Sequence, residues 1–333
     1  MRLSFSASCK QKQLLVNFPG LNDMDPFITR RRKDKVVVVA GATGTGKSRL
    51  SIDLATRFPA EVVNSDKMQV YKGLDIVTNK VTEEECCGVP HHLLGIVDPN
   101  VDFTAADFRH HASLAVESIV RRGRLPIIAG GSNSYIKTLV KDDIDFQSKY
   151  ECCFLWVDVS LPILQSFVSD RVDRMVEAGL VDEVRKLFNP KADYTSGIRR
   201  AIGVPEMDPF LRAELSSTAN EETRAMILEA AIHEIKANTC KLARYQLQNI
   251  LSLQNQFQCS MYRLDATEVF LKHGNQADEA WENLVAGPST MIIGEFLYED
   301  DFMAMAATPA SPSVITAASV LGTATPAVAA ATH

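Results

Sequence analysis

Short apolar runs alternate with segments of helical periodicity along most of the chain. Gly, Pro, Asn or Asp bounds each run. Continuous apolar runs of this length predict strands buried on both faces, and the helical patterns between them predict crossover connections of a parallel sheet. The sequence therefore predicts an α/β fold whose sheet is flanked by helices, with strands at residues 36–40, 61–64, 93–97, 125–129, 153–159 and 262–265.

The pattern changes after residue 186. Residues 187–220 are interrupted by Pro and Gly, which predicts loops and short helices, whereas residues 221–253 are free of proline and carry apolar residues at helical spacing. The second segment predicts one or two helices. We therefore expect a core domain at 35–186, a smaller, mainly helical substrate domain inserted at 187–235, and helices with a last strand that return to the core at 236–300.

Both ends of the chain lack a core-forming pattern. Residues 1–34 are rich in Arg, Lys and Ser and poor in acidic residues, a composition typical of a transit peptide. The alternative is a disordered N-terminal leader that carries no targeting signal. Residues 302–333 contain no charged side chain other than that of the terminal His and are dominated by Ala, Thr, Ser and Pro, so we predict a disordered tail over 301–333.

Composition removes several classes of function. With 35 basic and 41 acidic residues, the formal net charge is -6. That sign disfavours a protein that binds nucleic acid mainly by neutralising phosphates, so we expect no nucleic-acid partner. The seven cysteines form no Cys-x-x-Cys pair, which indicates neither a zinc site nor a disulfide framework. No apolar stretch is long enough to predict a membrane span.

The first predicted strand is followed by GATGTGKS, residues 41–48, which fits the phosphate-binding pattern Gly-x-x-x-x-Gly-Lys-Ser. Its glycines allow backbone N–H groups to converge on phosphate oxygens at a helix N-terminus. Lys47 adds a positive charge, and the Ser48 hydroxyl is placed to bind Mg²⁺. The core is thus predicted to be P-loop NTPase-like, with a polyphosphate bound by Gly41, Ala42, Thr43, Gly44, Thr45, Gly46, Lys47 and Ser48.

Two aspartates follow predicted strands. Asp66 lies just beyond the strand at 61–64, at the carboxyl edge of the sheet where ligand clefts of such folds form. It is a candidate general base facing the phosphate loop, or a helix cap. Asp158 ends the run at 153–159, where a phosphoryl-transfer enzyme would have its acidic Mg²⁺ partner. A structural role is the alternative for Asp158.

A series of ordered segments resembles one family. The segments are GATGTGKS, then NSDKMQVYKGLDIVTNK from residue 64, GVPHHLLG from 88, FTAADF from 103 and IIAGGSNSYI from 127. Together they resemble the isopentenyltransferases, and most closely the plant adenylate isopentenyltransferases that make cytokinins. Such enzymes transfer a dimethylallyl group from its diphosphate to N6 of adenine, with Mg²⁺. The resemblance implies that the loop binds dimethylallyl diphosphate and that ATP or ADP, and less well AMP, is the acceptor.

The resemblance also implies roles for individual residues. Asp66 would be the base, and Lys47 and Thr45 would act on the departing diphosphate. Ser132 and Ser134 would contact adenine or the donor. Arg199, Lys236, Lys241 and Arg244 would bind phosphates, although Arg199 is equally suited to pairing with acidic neighbours, and Lys241 and Arg244 to a solvated helix face. We expect a monomer in the plastid, with the cytoplasm as the alternative.

Two other activities remain open from the sequence. The tRNA dimethylallyltransferases share these motifs, but the negative net charge and Lys67, where those enzymes usually have Ser after the base, favour a free nucleotide. A nucleotide or small-molecule kinase is the second alternative, because it would use the same phosphate loop.

Overall fold

The computed structural model of the protein describes residues 33–216, 219–256 and 261–307. Most of the predicted transit peptide and of the predicted tail lies outside these residues. Asp34 begins the first strand, and residues 301–307 belong to the last helix.

A single parallel sheet forms the centre of the structure. Its strands, in the order β3-β2-β4-β1-β5-β6, pair only in parallel. The central strand β1 is buried from Val36 to Ala40 between β4 and β5, as its apolar run predicts. The predicted α/β fold is confirmed, with strands β1 Asp34–Ala40, β2 Ala60–Asn64, β3 His91–His92, β4 Leu125–Ala129, β5 Tyr150–Asp158 and β6 Met261–Asp265.

The strand predicted at residues 93–97 was wrong. The ladder ends at His92, and Leu93 has a left-handed backbone with φ 60°, followed by Gly95 with φ 62°. Beyond them, Val97 forms only an isolated bridge with Tyr71. Leu93 is nevertheless buried, at 7% exposure, so the apolar run reflects packing of an irregular segment against the core.

Helices alternate with the strands along the chain and flank the sheet. The segment predicted as one or two helices is a single helix of 36 residues, α8. A 3₁₀ turn lies at Gly197–Arg200, and a π-helical turn at Glu282–Ala286 precedes the last helix. The helices are α1 Lys47–Arg57, α2 Ala105–Arg121, α3 Asn133–Val140, α4 Ile144–Lys149, α5 Leu161–Glu177, α6 Leu180–Leu187, α7 Val204–Leu215, α8 Glu221–Gln256, α9 Thr267–Leu271, α10 Asn275–Trp281 and α11 Gly287–Ala307.

The chain divides into two compact units between Phe296 and Leu297, within α11, and the sheet belongs to the first unit. None of the described helices is both long enough and apolar enough to cross a membrane.

A buried carboxylate holds the edge of the sheet together. Glu61 of β2 is 4% exposed; its Oε2 lies 2.7 Å from Nε2 of His92 and accepts a 2.6 Å hydrogen bond from Nη2 of Arg122. Burial by itself would raise the pKa of Glu61, but the hydrogen bonds from Arg122 and His92 bring the pKa below its ordinary value. The ionised carboxylate therefore links β2, β3 and the turn after α2.

We expect Glu61→Gln to lower the free energy of unfolding by about 1.5–3 kcal/mol at pH 7, because a neutral amide cannot replace the charged hydrogen bonds that the buried carboxylate forms with Arg122 and His92. Since the pKa of Glu61 in the folded protein lies below the ordinary 4.5, the contribution is complete above pH 4.5 and disappears as the pH falls through the folded-state pKa.

Urea unfolding of both proteins at pH 7 and in acid measures this difference. The control is Glu117→Gln, which removes the exposed pair with Arg121 and should change stability by less than about 0.5 kcal/mol. Equal losses in the two variants would contradict the buried role of Glu61.

Candidate active site

The phosphate loop connects the end of β1 to the start of α1. At Gly41 an added Cβ would lie 2.6 Å from the Thr45 hydroxyl oxygen and 2.7 Å from the Val157 carbonyl oxygen, so the backbone passes too close for any side chain. Gly46 has φ 97° immediately before α1. The first N–H groups of α1 have no acceptor within the helix. The loop thus presents donors and the positive end of the helix dipole to an anion.

Two side chains of the loop bind its own backbone. Nζ of Lys47 donates a 2.6 Å hydrogen bond to the Ala42 carbonyl, and the buried Thr45 hydroxyl donates to the same oxygen at 3.0 Å. Burial lowers the pKa of Lys47 to about 8, with the Asp66 carboxylate partly offsetting that effect and the Arg171 guanidinium adding to it. Ser48 is exposed at the start of α1. The catalytic role of Thr45 stays a prediction.

Asp66 lies in the turn after β2, and its two carboxylate oxygens have different surroundings. Its Oδ1 accepts a 2.9 Å hydrogen bond from the Met68 N–H, which fixes the side chain. Its Oδ2 is 3.7 Å from where a Cβ on Gly131 would lie. The Asp66 charge also influences the pKa of Lys47 and of Arg171, so the carboxylate lies close enough to both cations to interact with them. None of the described helices begins at Asp66, so the carboxylate caps a turn and not a helix, and its role as the general base stays a prediction.

Arg171 of α5 is a site residue that sequence reasoning missed. Its Nη2 donates a 3.0 Å hydrogen bond to the Thr43 hydroxyl, and its buried Nε has no hydrogen-bond partner in the part of the chain that the structure describes. Burial lowers the pKa of Arg171 to about 10, helped by Arg174 and opposed by Asp66. Among the described residues this guanidinium has no carboxylate partner, and a cation in that state next to a phosphate loop is arranged to bind an anion.

Gln246 of α8 is a second residue that sequence reasoning missed. Its side-chain oxygen accepts a 2.7 Å hydrogen bond from the Thr43 N–H, and its side-chain nitrogen donates to the Gly131 carbonyl at 2.9 Å. Asn133 of α3 donates to the Gln246 backbone carbonyl at 2.9 Å. Helix α8 is thereby joined to the phosphate loop and to the loop after β4.

The two predicted serines differ in placement. The Ser132 hydroxyl accepts a 2.9 Å hydrogen bond from the backbone N–H of Lys67, so it holds the chain just beyond Asp66. Ser134 is exposed on α3. Ser132 therefore belongs to the site as a support of the Asp66 turn, and contacts of either serine with substrate stay predictions.

The predicted phosphate-binding cations lie apart from the loop contacts. Lys241 and Arg244 are exposed on α8, whereas Ala243 and Gln246 on the other side of this helix are buried. Lys236 forms a 2.6 Å ion pair with Asp173 of α5. Nη1 of Arg199 donates to the Asn100 side chain at 2.6 Å, a neighbouring polar group. Phosphate binding by these four cations stays a prediction.

Asp158 is held by an arginine. Nε and Nη2 of Arg263 donate to one of its carboxylate oxygens at 2.8 and 2.7 Å, and the aspartate is 7% exposed. This paired arrangement fits the structural alternative, and because Arg263 contacts only one of the two oxygens, a Mg²⁺ role of Asp158 stays a prediction.

Comparison with known proteins identifies relatives over most of the chain. The family model described as IPP transferase matches residues 69–149 and 142–252. The chain is 65% identical over 292 residues to adenylate isopentenyltransferase 5, chloroplastic, of Arabidopsis thaliana, covering 86% of this chain and 87% of that protein. It is 53% identical to adenylate isopentenyltransferase 7, mitochondrial, of the same plant, over 89% of this chain and 90% of the relative.

More distant relatives act on tRNA by name. Arabidopsis thaliana tRNA dimethylallyltransferase 2 is 30% identical, over 80% of this chain and 81% of that protein. A solved eukaryotic dimethylallyltransferase acting on tRNA superposes with a TM-score of 0.69 at 26% identity, covering 80% of each chain. The tRNA isopentenylpyrophosphate transferase of Bacillus halodurans gives 0.65 at 26% identity, over 82% of this chain and 100% of that one.

Proposed function

The chain belongs to the IPP transferase family, among the plant adenylate isopentenyltransferases, and we propose that it transfers the dimethylallyl group of dimethylallyl diphosphate to N6 of ATP or ADP, the first step of cytokinin biosynthesis. The observation that carries the proposal is the position of the Asp66 carboxylate beside Gly131, whose carbonyl is joined through Gln246 to the Thr43 N–H of the anion-binding loop. The identity of 65% to an adenylate enzyme, against 30% to a tRNA enzyme, supports the choice of acceptor.

The donor end of the site stabilises a leaving diphosphate. As the bond between the allylic carbon and the bridging oxygen breaks, its electron pair passes to the diphosphate, where negative charge grows. The N–H groups at the start of α1 and the Lys47 ammonium are fixed before the reaction, so they stabilise this charge without reorganising. Arg171 adds a second cation at the Thr43 side of the loop.

Ser48 would hold a Mg²⁺ ion at this end. Its exposed hydroxyl lies in the first turn of α1, and Mg²⁺ usually keeps waters and substrate phosphate oxygens as its other ligands, so one protein oxygen is a sufficient anchor. When bound, the ion would supply further stabilisation of the diphosphate charge.

The acceptor end needs a base. The exocyclic amine of adenine is a poor nucleophile because its lone pair is delocalised into the ring, and it must lose a proton as it forms the bond to carbon. With Oδ1 of Asp66 fixed by the Met68 N–H, Oδ2 is the oxygen that orients the amine and takes its proton. General-base catalysis of this kind contributes about 10²–10⁴-fold.

We expect Arg171→Met to lower kcat/KM for dimethylallyl diphosphate by about 10- to 150-fold, because a charge-assisted contact to the diphosphate contributes about 1.5–3 kcal/mol. Steady-state kinetics with the donor varied at saturating ATP measure the effect. The control is Arg121→Met, which removes an exposed arginine of α2. An effect of less than threefold, with the variant folded, would remove Arg171 from the diphosphate site.

The acceptor is tested by incubating the protein with dimethylallyl diphosphate, Mg²⁺ and each of AMP, ADP, ATP and tRNA, and identifying the products by mass. We expect ADP and ATP to be used with higher kcat/KM than AMP, since cations beyond the ribose would pair with the additional phosphates. Kinetics of single Ala variants then identify which cation binds the additional phosphates; the variants are made at Arg199, Lys236, Lys241 and Arg244. Equal use of AMP and ATP would contradict the acceptor preference, and product on tRNA alone would favour the alternative enzyme.

The names of the relatives support a proposal about the cellular location of the protein. Several similar adenylate isopentenyltransferases are named chloroplastic and one is named mitochondrial. Together with the transit-peptide composition of residues 1–34, these names support a plastid protein. We also propose that it works as a monomer. A fluorescent reporter fused to residues 1–40 should enter plastids. A reporter that stays in the cytosol would contradict the proposed plastid targeting.

A further inference from the structure

We propose that Gln246 is a positioning residue that sets the donor loop at the correct distance from the base Asp66. The proposal rests on the proposed function, because it concerns the alignment of the allylic carbon with the adenine amine. Gln246 binds both sides of the cleft through one side-chain amide, accepting from the Thr43 N–H and donating to the Gly131 carbonyl.

The hydrogen bonds of Gln246 lie next to the Asp66 carboxylate. Gly131 lies between the amide and the carboxylate, because a Cβ at this position would be 2.5 Å from Nε2 of Gln246 and 3.7 Å from Oδ2 of Asp66. Gln246 therefore joins Thr43 to Gly131, and the Asp66 carboxylate lies beside Gly131. Both hydrogen bonds are sheltered, since Gln246 is only 7% exposed, and sheltered hydrogen bonds hold their geometry more firmly than solvated ones.

The bridge can persist while the diphosphate is bound. The bridge uses the Thr43 N–H, which precedes α1, so the N–H groups of the first turn of α1 stay available to the diphosphate. A separate hydrogen bond holds helix α8 here, because Asn133 donates to the backbone carbonyl of residue 246. This bond does not depend on which side chain residue 246 carries. Changing the side chain therefore alters the bridge while this hydrogen bond of the helix is kept.

Loss of the bridge should act on the chemical step more than on binding. Gln246 contacts loop backbone, and the groups proposed to bind the substrates belong to other residues. A displacement of about 1 Å between reacting groups lowers the rate of reaction by about 10²-fold without removing a binding contact. A residue that acts in this way lowers kcat and leaves both KM values nearly unchanged.

The test is Gln246→Met, which keeps the length of the side chain and removes both hydrogen bonds. We expect kcat to fall about 10- to 100-fold while the KM values for dimethylallyl diphosphate and ATP each stay within about threefold. The matched control is Gln254→Met, an exposed glutamine further along α8, which should match the wild type. Thermal unfolding of each variant is measured in parallel.

A second variant covers the case in which Gln246→Met folds poorly. Gly131→Ala places a methyl group against the Gln246 amide and should give the same loss in kcat with little change in KM. An unchanged kcat in folded protein would overturn the proposal, as would a rise of more than tenfold in one KM at constant kcat, which indicates a direct substrate contact. The proposed function fails separately, if wild-type protein gives no dimethylallyl product.

Discussion

Replacing Asp66 by Asn is expected to lower kcat by about 10²-fold or more while acceptor affinity stays the same. The Asn Oδ1 can still accept the Met68 N–H that fixes the turn, which leaves an NH2 group in the position of Oδ2. This group cannot accept the proton that the amine releases. Single-turnover rates at saturating donor and acceptor measure the chemical step directly.

Asp145→Asn is the matched control for Asp66→Asn, because it makes the same change at an exposed position of α4. It should leave the rate unchanged. If Asp66→Asn loses less than tenfold with unchanged acceptor affinity, Asp66 is not the base.

Removing the loop lysine should have the second large effect. We expect Lys47→Ala to lower kcat/KM for dimethylallyl diphosphate by at least 10-fold, since a charge-assisted contact contributing about 1.5–3 kcal/mol is lost. The pH profile gives an independent check. With a pKa lowered to about 8, Lys47 of the free enzyme is protonated below that pH and loses its charge above it, so wild-type kcat/KM should fall above about pH 8.

Lys47→Arg should move this decline to higher pH, because the guanidinium stays charged. Lys149→Ala, at the exposed end of α4, is the control and should follow the wild-type profile. A Lys47→Ala enzyme that keeps more than about a third of wild-type turnover would contradict the assignment of the loop.

Local patterns in the sequence predicted most of the sheet and indicated the phosphate loop and Asp66 as site candidates. The apolar runs predicted five strands of the sheet because burial on both faces selects continuous apolar residues. The phosphate loop and Asp66 were recognisable because each follows a strand within a few residues. The run at 93–97 failed as a strand because apolar residues also pack irregular segments, as Leu93 does.

The remaining site residues depend on contacts between distant parts of the chain. Arg171 reaches Thr43 from 128 positions away in sequence, and Gln246 reaches it from 203 positions away. In their own helices neither residue has neighbours that distinguish it from an ordinary polar side chain. Lys241 and Arg244 were predicted to bind phosphates because they are cations on one face of a helix. The buried Gln246 on the same helix forms the hydrogen bond with the Thr43 N–H of the loop.

The most direct test of the central claim is the fate of the phosphates in a reaction of the wild-type protein with dimethylallyl diphosphate, ATP and Mg²⁺. We expect N6-dimethylallyl-ATP with its triphosphate intact and one diphosphate released for each product formed. Formation of ADP without a prenyl donor would instead show that the loop serves phosphoryl transfer, and would contradict the proposal that it holds a leaving diphosphate.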